Sequence, residues 1–171
     1  NLEALYLEHN FITDKGVEFI SKSKAFSNLK ILNLYHNQIT DMGAKAIANS
    51  DILTQLRELN LNYNNINGSG AIDLTHSKKL GQLQNIQLAY NPIEKSGKQA
   101  WKRFQLMESF KHLYRNNRLD QVGKALIGDF GFMVLLDFPF VSELEVLDLR
   151  NNSLTDEAVI ALSHSQKFKS L

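Results

Sequence analysis

The sequence predicts an α/β solenoid, with short parallel strands on a concave inner face, α-helices on a convex outer face, and right-handed connections between them. Three observations carry that prediction. One frame of apolar residues returns along all 171 residues. The frame is marked by an asparagine every 27 residues at Asn10, Asn37, Asn64 and Asn91, and again at Asn117 and Asn152. Within each period the apolar spacing changes from alternation to steps of three and four, which is the change from strand to helix. A unit of this size cannot bury its own apolar side, so its copies must stack.

Each unit opens on its strand. The clearest copy is LKILNLYHNQI, with Leu29, Leu32, Leu34, Asn37 and Ile39 at positions 1, 4, 6, 9 and 11. The same frame holds Leu2-Leu5-Leu7-Asn10-Ile12, Leu56-Leu59-Leu61-Asn64-Ile66, Leu83-Ile86-Leu88-Asn91-Ile93 and Leu144-Leu147-Leu149-Asn152-Leu154, with a weaker copy at Phe110, Leu113, Asn117 and Leu119. Period-2 alternation sends positions 4 and 6 inward and positions 3, 5 and 7 outward. The asparagine stands where the chain leaves the strand and backbone groups lose their ladder partners. An amide donates and accepts at once, so this column is structural.

The helix follows. Its start is marked by Thr13, Thr40, Asn67, Glu94, Asp120 and Thr155, five of which are of types that cap a helix through a side-chain oxygen. Counting from the glycine of each unit, or from Ala158 where the last unit has none, the position four later holds Ile20, Ile47, Leu74, Trp101, Ile127 and Leu162. The position ten later holds Phe26, Leu53, Leu80, Met107, Val141 and Phe168. These two columns are the predicted helix-side core. Lysines near the helix ends suit the helix dipole and read as a solvated convex surface. Strands pack about 4.8 Å apart and helices about 8–10 Å, so stacking curves the array and leaves one sheet face open.

The predicted repeats are 2–28, 29–55, 56–82, 83–109, 110–143 and 144–170, forming a single domain over 1–171, with Leu171 opening another repeat. Neither end reads as a polar cap, so the chain is expected to be part of a longer array. Repeat five departs from the pattern. Its expected strand, 110–117, is one residue short, and its helical half is longer than its siblings by an apolar stretch at 128–140. That stretch has two readings: a second helical turn on the core, or an apolar protrusion that docks a partner.

The LxxLxLxxNxI frame at this period resembles the leucine-rich repeat family. The 27-residue length and the glycine of NQITDMGAKAI resemble its ribonuclease-inhibitor-like subclass, which includes the repeats of NLR-type receptors. The resemblance covers essentially the whole chain. It implies a horseshoe arc whose concave face binds protein, and it implies the asparagine ladder between neighbouring turns.

Composition excludes several classes. The net charge of +1 gives no bulk attraction to nucleic acid or to a membrane surface. There is no cysteine, hence no disulfide and no thiolate chemistry. No apolar run approaches the roughly 20 residues of a membrane span. No nucleophile–base pair, phosphate loop or zinc spacing stands in the sequence, so the reading is not an enzyme and no cofactor or metal is assigned. His9 and His36 share position 8 on neighbouring strands beside Glu8; they read as surface histidines on a binding face.

That face is where function is expected. All five tyrosines, Tyr6, Tyr35, Tyr63, Tyr90 and Tyr114, lie in strand blocks outside the leucine set. Exposed tyrosine is enriched in interfaces, although β-propensity alone also favours it there. The predicted concave protein-binding set is Tyr6, Glu8, His9, Lys30, Asn33, Tyr35, His36, Arg57, Asn60, Asn62, Tyr63, Gln87, Tyr90, His112, Tyr114, Arg115, Asp148 and Arg150. Glu3 and Glu8 make its first repeat acidic; Lys111 and Arg115 make its fifth basic. The expectation is a monomeric cytoplasmic module that binds, and in one form inhibits, a protein partner. The alternatives are a regulatory segment of a multidomain NLR-like or GTPase-activator-like protein and the repeat region of a bacterial effector acting in host cytoplasm.

Overall fold

The computed structural model describes residues 2–125 and 127–168. The repeat expected to open at Leu171 lies outside them. The chain forms two compact units, Asn1–Lys102 and Arg103–Leu171.

In the first unit strand and helix alternate: β1 (Ala4–Tyr6), α1 (Asp14–Lys22), β2 (Ile31–Asn33), α2 (Asp41–Ala48), β3 (Glu58–Asn60), α3 (Gly68–Thr75) and β4 (Asn85–Gln87). The strands form one parallel sheet in sequence order, and Leu5, Leu32, Leu59 and Ile86 share one register line. Each strand is three residues long because the outward turn begins at once. Leu29, Leu32, Leu34, Ile39, Leu56, Leu59, Leu61 and Ile66 are fully buried, and Val17, Ala44, Ile47, Ala71 and Leu74 meet them from the helices.

Two ladders tie successive turns. In the first, Asn37, Asn64 and Asn91 each donate to the leucine carbonyl of the preceding turn (Leu7, Leu34 and Leu61, at 2.8–3.0 Å). Each also accepts the N–H of the preceding position 11: Ile12, Ile39 and Ile66. The second ladder was not expected. Asp14, at the start of α1, accepts from the Thr40 N–H, the Thr40 hydroxyl and the Gly43 N–H. Asp41 repeats this on Asn67, Ser69 and Gly70. Each carboxylate thus satisfies donors at the next helix's N-terminus, where an anion is favoured. Glycine is needed at that position because a Cβ on Gly43 would come within 2.6 Å of the Asp14 carboxylate.

The division between the units falls inside α4 (Lys95–Arg115). This corrects the reading of repeat five: the strand expected at 110–117 is helix up to Arg115. Leu106, Met107, Phe110, Leu113 and Tyr114 recur at helical spacing and pack in one apolar cluster, while the frame would place charged Arg115 at the inward position 6. Asn117 ends this helix. It is left-handed at φ 54°, its N–H donates to the Tyr114 carbonyl, and the Arg118 N–H donates to Leu113. That is a Schellman cap, in which asparagine tolerates the left-handed residue.

The second unit continues with a 3-10 segment at Leu119–Ala125, α5 (Gly128–Leu136) and α6 (Asp156–His164). Asn152 donates to the Gly123 carbonyl at 2.6 Å and accepts from Ile127 N–H at 2.8 Å. Asp129 accepts from the Thr155 N–H and hydroxyl, as Asp14 does from Thr40. Ile127 therefore holds position 11 of repeat five, and the helix glycine is Gly131, not Gly123. The extra length of repeat five lies upstream, in α4. The apolar stretch 128–140 is core: Phe132, Val134, Leu135 and Phe138 are buried. Residues 144–151 form no strand, although Asn152 keeps its buried ladder place.

Candidate functional site: an aromatic ridge on the sheet face

Thirteen of the predicted residues fall on or beside the open sheet face of the first unit. Position 5 forms one row, with Tyr6, Asn33, Asn60 and Gln87 in direct register. Position 7 holds Glu8, Tyr35, Asn62 and Ala89; position 8 holds His9, His36, Tyr63 and Tyr90.

Position 8 has an unusual backbone. His9, His36, Tyr63 and Tyr90 all take positive φ, between 54° and 57°. Left-handed geometry is uncommon for residues other than glycine, asparagine, aspartate and histidine, and for the bulky rings of Tyr63 and Tyr90 it is strained. The surrounding turn imposes it. The N–H groups of His9, His36 and Tyr63 donate at 2.9–3.0 Å to the position-7 carbonyls of the next strand, Tyr35, Asn62 and Ala89. The ladder asparagine follows one residue later and fixes the exit of the chain.

The left-handed turn lays the rings against one another across all four strands. His9 meets His36 at 4.9 Å and Tyr35 at 5.1 Å between centroids. Tyr35 meets Tyr63 edge-on at 5.2 Å, and Tyr63 stacks on Tyr90 at 4.1 Å. Such pairs contribute about 0.5–1.5 kcal/mol each beyond area burial. Burial and contact with Tyr90 both raise the Tyr63 phenol above its ordinary acidity range, so its hydroxyl is neutral at physiological pH.

Beside the ridge the amides are fixed by one another. Asn33 donates to Glu8 at 2.6 Å and accepts from Tyr35 N–H; Asn62 donates to Gln87 and accepts from Ala89 N–H. Lys30 pairs with Glu3 at 2.7 Å, which lowers the Glu3 carboxyl, and Arg57 adds to that lowering. The face is thus ordered before any partner arrives, which lowers the entropy cost of binding.

Five predicted residues lie in the second unit. His112, Tyr114 and Arg115 are on α4, not on a strand. Tyr114 stacks on Phe140 at 4.0 Å; its phenol is raised by burial and by Glu143. Lys111 pairs with Glu108 one helical turn back, so the basic end expected of a continuous strand face is not formed there. Asp148 and Arg150 bond to each other through two contacts at 2.6 and 2.9 Å, which holds the Asp148 carboxyl at about 2.

Sequence reasoning missed Glu58. It faces outward at position 3 of its repeat, the first residue of β3, and among the described residues makes no ion pair or side-chain hydrogen bond. Alternation places it on the face directly, so the signal was present. A larger hollow of about 790 Å³ lies on the helix side between α1 and α2, lined by Lys15, Glu18, Lys22, Lys45 and Asp51 among others. It is a groove in the charged outer surface, away from the ridge. Among the described residues no cluster of three or more His, Asp or Glu could hold a metal.

Two stretches match known families: residues 1–66 match a family described as Leucine rich repeat, and residues 143–163 match a second Leucine Rich repeat family. A comparison with curated proteins returns no match.

Proposed function

From the leucine-rich repeats at residues 1–66 and 143–163, we propose that this chain is a protein-binding module whose contact surface is the ridge formed by His9, Tyr35, His36, Tyr63 and Tyr90. Leucine-rich repeat domains are generally protein–protein interaction modules and typically non-enzymatic scaffolds. Our reading of the 27-residue period is that these repeats are ribonuclease-inhibitor-like. The observation that carries the proposal is the run of left-handed aromatic residues through four consecutive turns. The solenoid needs the leucines and asparagines. It does not need strained rings at position 8. Tyrosine brings large, rigid contact area with a polar tip, the chemistry of binding hot spots. Binding that covers a functional surface of the partner would make the module inhibitory.

The test is capture with the full chain, comparing wild type with the variant carrying Tyr35→Ala, Tyr63→Ala and Tyr90→Ala. The proposal expects proteins held by wild type to be lost by the variant while cooperative unfolding is retained. Equal capture by both would remove the ridge from the interface.

A further inference from the structure

Resting on that protein-binding reading, we infer that the sheet face also carries a specific receptor for a cationic side chain of the partner, best met by arginine. The site is a hollow of about 120 Å³ on the open face, lined by Tyr6, Ile31, Asn33, Glu58, Asn60 and Gln87 over a floor of Leu32 and Leu59. Its size decides the class of occupant. Small-molecule pockets run to about 300–1,000 Å³, so this hollow takes the head of one side chain, not a whole ligand.

Its chemistry decides the charge. Glu58 is exposed at the rim, and among the described residues its carboxylate has no partner. Lys30 pairs with Glu3, and among the described residues Arg57 forms no ion pair with Glu58. Outside the hollow, the Glu8 carboxylate accepts from the amide of the lining residue Asn33 and, among the described residues, makes no ion pair. Gln87 and Asn60 present amide oxygens that accept from Asn62 and retain a further lone pair each. Tyr6 supplies an aromatic wall. It is 60% exposed and, unlike the other tyrosines of this unit, makes no ring contact among the described residues, so its face is open.

An unpaired carboxylate, spare amide oxygens and a free tyrosine face together fit a guanidinium. The planar group bonds a carboxylate through two parallel N–H groups and lies on an aromatic ring at the same time, which an ammonium cannot do. The partner would then place an arginine in the hollow while its neighbouring surface rests on the ridge. The arginine sets register, and the ridge supplies area.

The experiment is an amide chemical-shift titration of the full chain with N-acetyl-arginine methylamide, using the neutral isostere N-acetyl-citrulline methylamide as comparison. Arginine should shift the amides of 31–33, 58–60 and 85–87. Citrulline, or arginine added to Glu58→Gln, should bind about tenfold more weakly, the loss of one hydrogen-bonded charge. Equal shifts from the two probes, unchanged binding to Glu58→Gln, shifts confined to other segments, or no shift would each overturn the inference. The Tyr35/Tyr63/Tyr90→Ala variant should keep this titration, because none of the three lines the hollow. Failure of the ridge reading therefore shows in protein capture alone, and failure of the hollow shows here.

Discussion

Asn152 bonds to the carbonyl of Gly123 across 29 residues, in the place where Asn37, Asn64 and Asn91 bond to leucines of the preceding turn. Gly123 stands there because the neighbouring turn comes too close for any side chain. A Cβ on Gly123 would lie 1.7 Å from the Asp148 carbonyl oxygen, a backbone atom that no rotamer change can move. Gly123→Ala should therefore destabilise the second unit by at least about 3 kcal/mol, the upper range of overpacking costs. Gly81, with open space around its Cβ position, is the comparison. Gly81→Ala should stay within about 0.5 kcal/mol, as surface changes do. Thermal unfolding of the two variants distinguishes them.

The same relationship marks how far the sequence could be read. In the second, third and fourth repeats each frame position does its assigned job, because leucine, asparagine and isoleucine recur there without a break, whereas Leu2 and Asn10 of the first repeat are exposed. In repeat five the carbonyl that meets the ladder asparagine belongs to a glycine, and a chance FKHLYRNN mimics the motif at the end of a helix. Matching letters favoured residues 110–117, while the helical spacing of Leu106, Phe110, Leu113 and Tyr114 was present and outweighed them. The ridge was half legible. The tyrosine column could be seen, but its left-handed backbone depends on hydrogen bonds to the next strand that no local pattern spells out. Glu58 was legible by alternation. Its lack of a partner required the positions of Lys30 and Arg57.

The asparagines separate by role. Asn64 is buried and serves the Ile39 N–H and the Leu34 and Leu61 carbonyls. Asn64→Ala orphans the buried Ile39 N–H, while the Leu34 and Leu61 carbonyls keep the Asn37 and Asn91 amides, so it should cost about 1–3 kcal/mol, the penalty of one orphaned group. Asn117 only closes a helix with a left-handed residue, so Asn117→Gly should be neutral or slightly stabilising. Denaturant midpoints of the two variants check both outcomes. A large loss for Asn117→Gly would restore it to the ladder.

The Asp148–Arg150 pair gives a pH signature. The Arg150 guanidinium and backbone N–H hold the Asp148 carboxyl at about 2, below its ordinary 3.8. A lowered folded-state pKa means that the stabilisation is present above the unfolded value and is lost as pH falls through the folded value. The window is therefore between 3.8 and about 2. A carboxyl-carbon titration should place Asp148 near the lower value in wild type and move it upward in Arg150→Gln. No movement would assign the lowering to another cause.

Tyr63→Asn separates ridge from fold. Asparagine accepts the left-handed geometry, and relief of strain of about 1 kcal/mol offsets ring contacts of similar size. Net stability should change by less than about 1 kcal/mol, or roughly 2–4 °C in Tm for a chain of this length. A larger drop in thermal unfolding would make the ridge structural.

The most direct test of the ridge as binding surface is the affinity of a captured partner for two double variants of the full chain. His36→Asn with Tyr63→Asn breaks the ridge; Phe19→Ser with Met42→Gln removes exposed apolar side chains from the helix side. The ridge variant should weaken Kd by about 30-fold or more, as removal of a hot spot worth at least 2 kcal/mol requires, and the helix-side variant should bind as wild type does. The reverse pattern, with the ridge variant unchanged and the helix-side variant weakened, would place the interface on the helices and contradict the assignment.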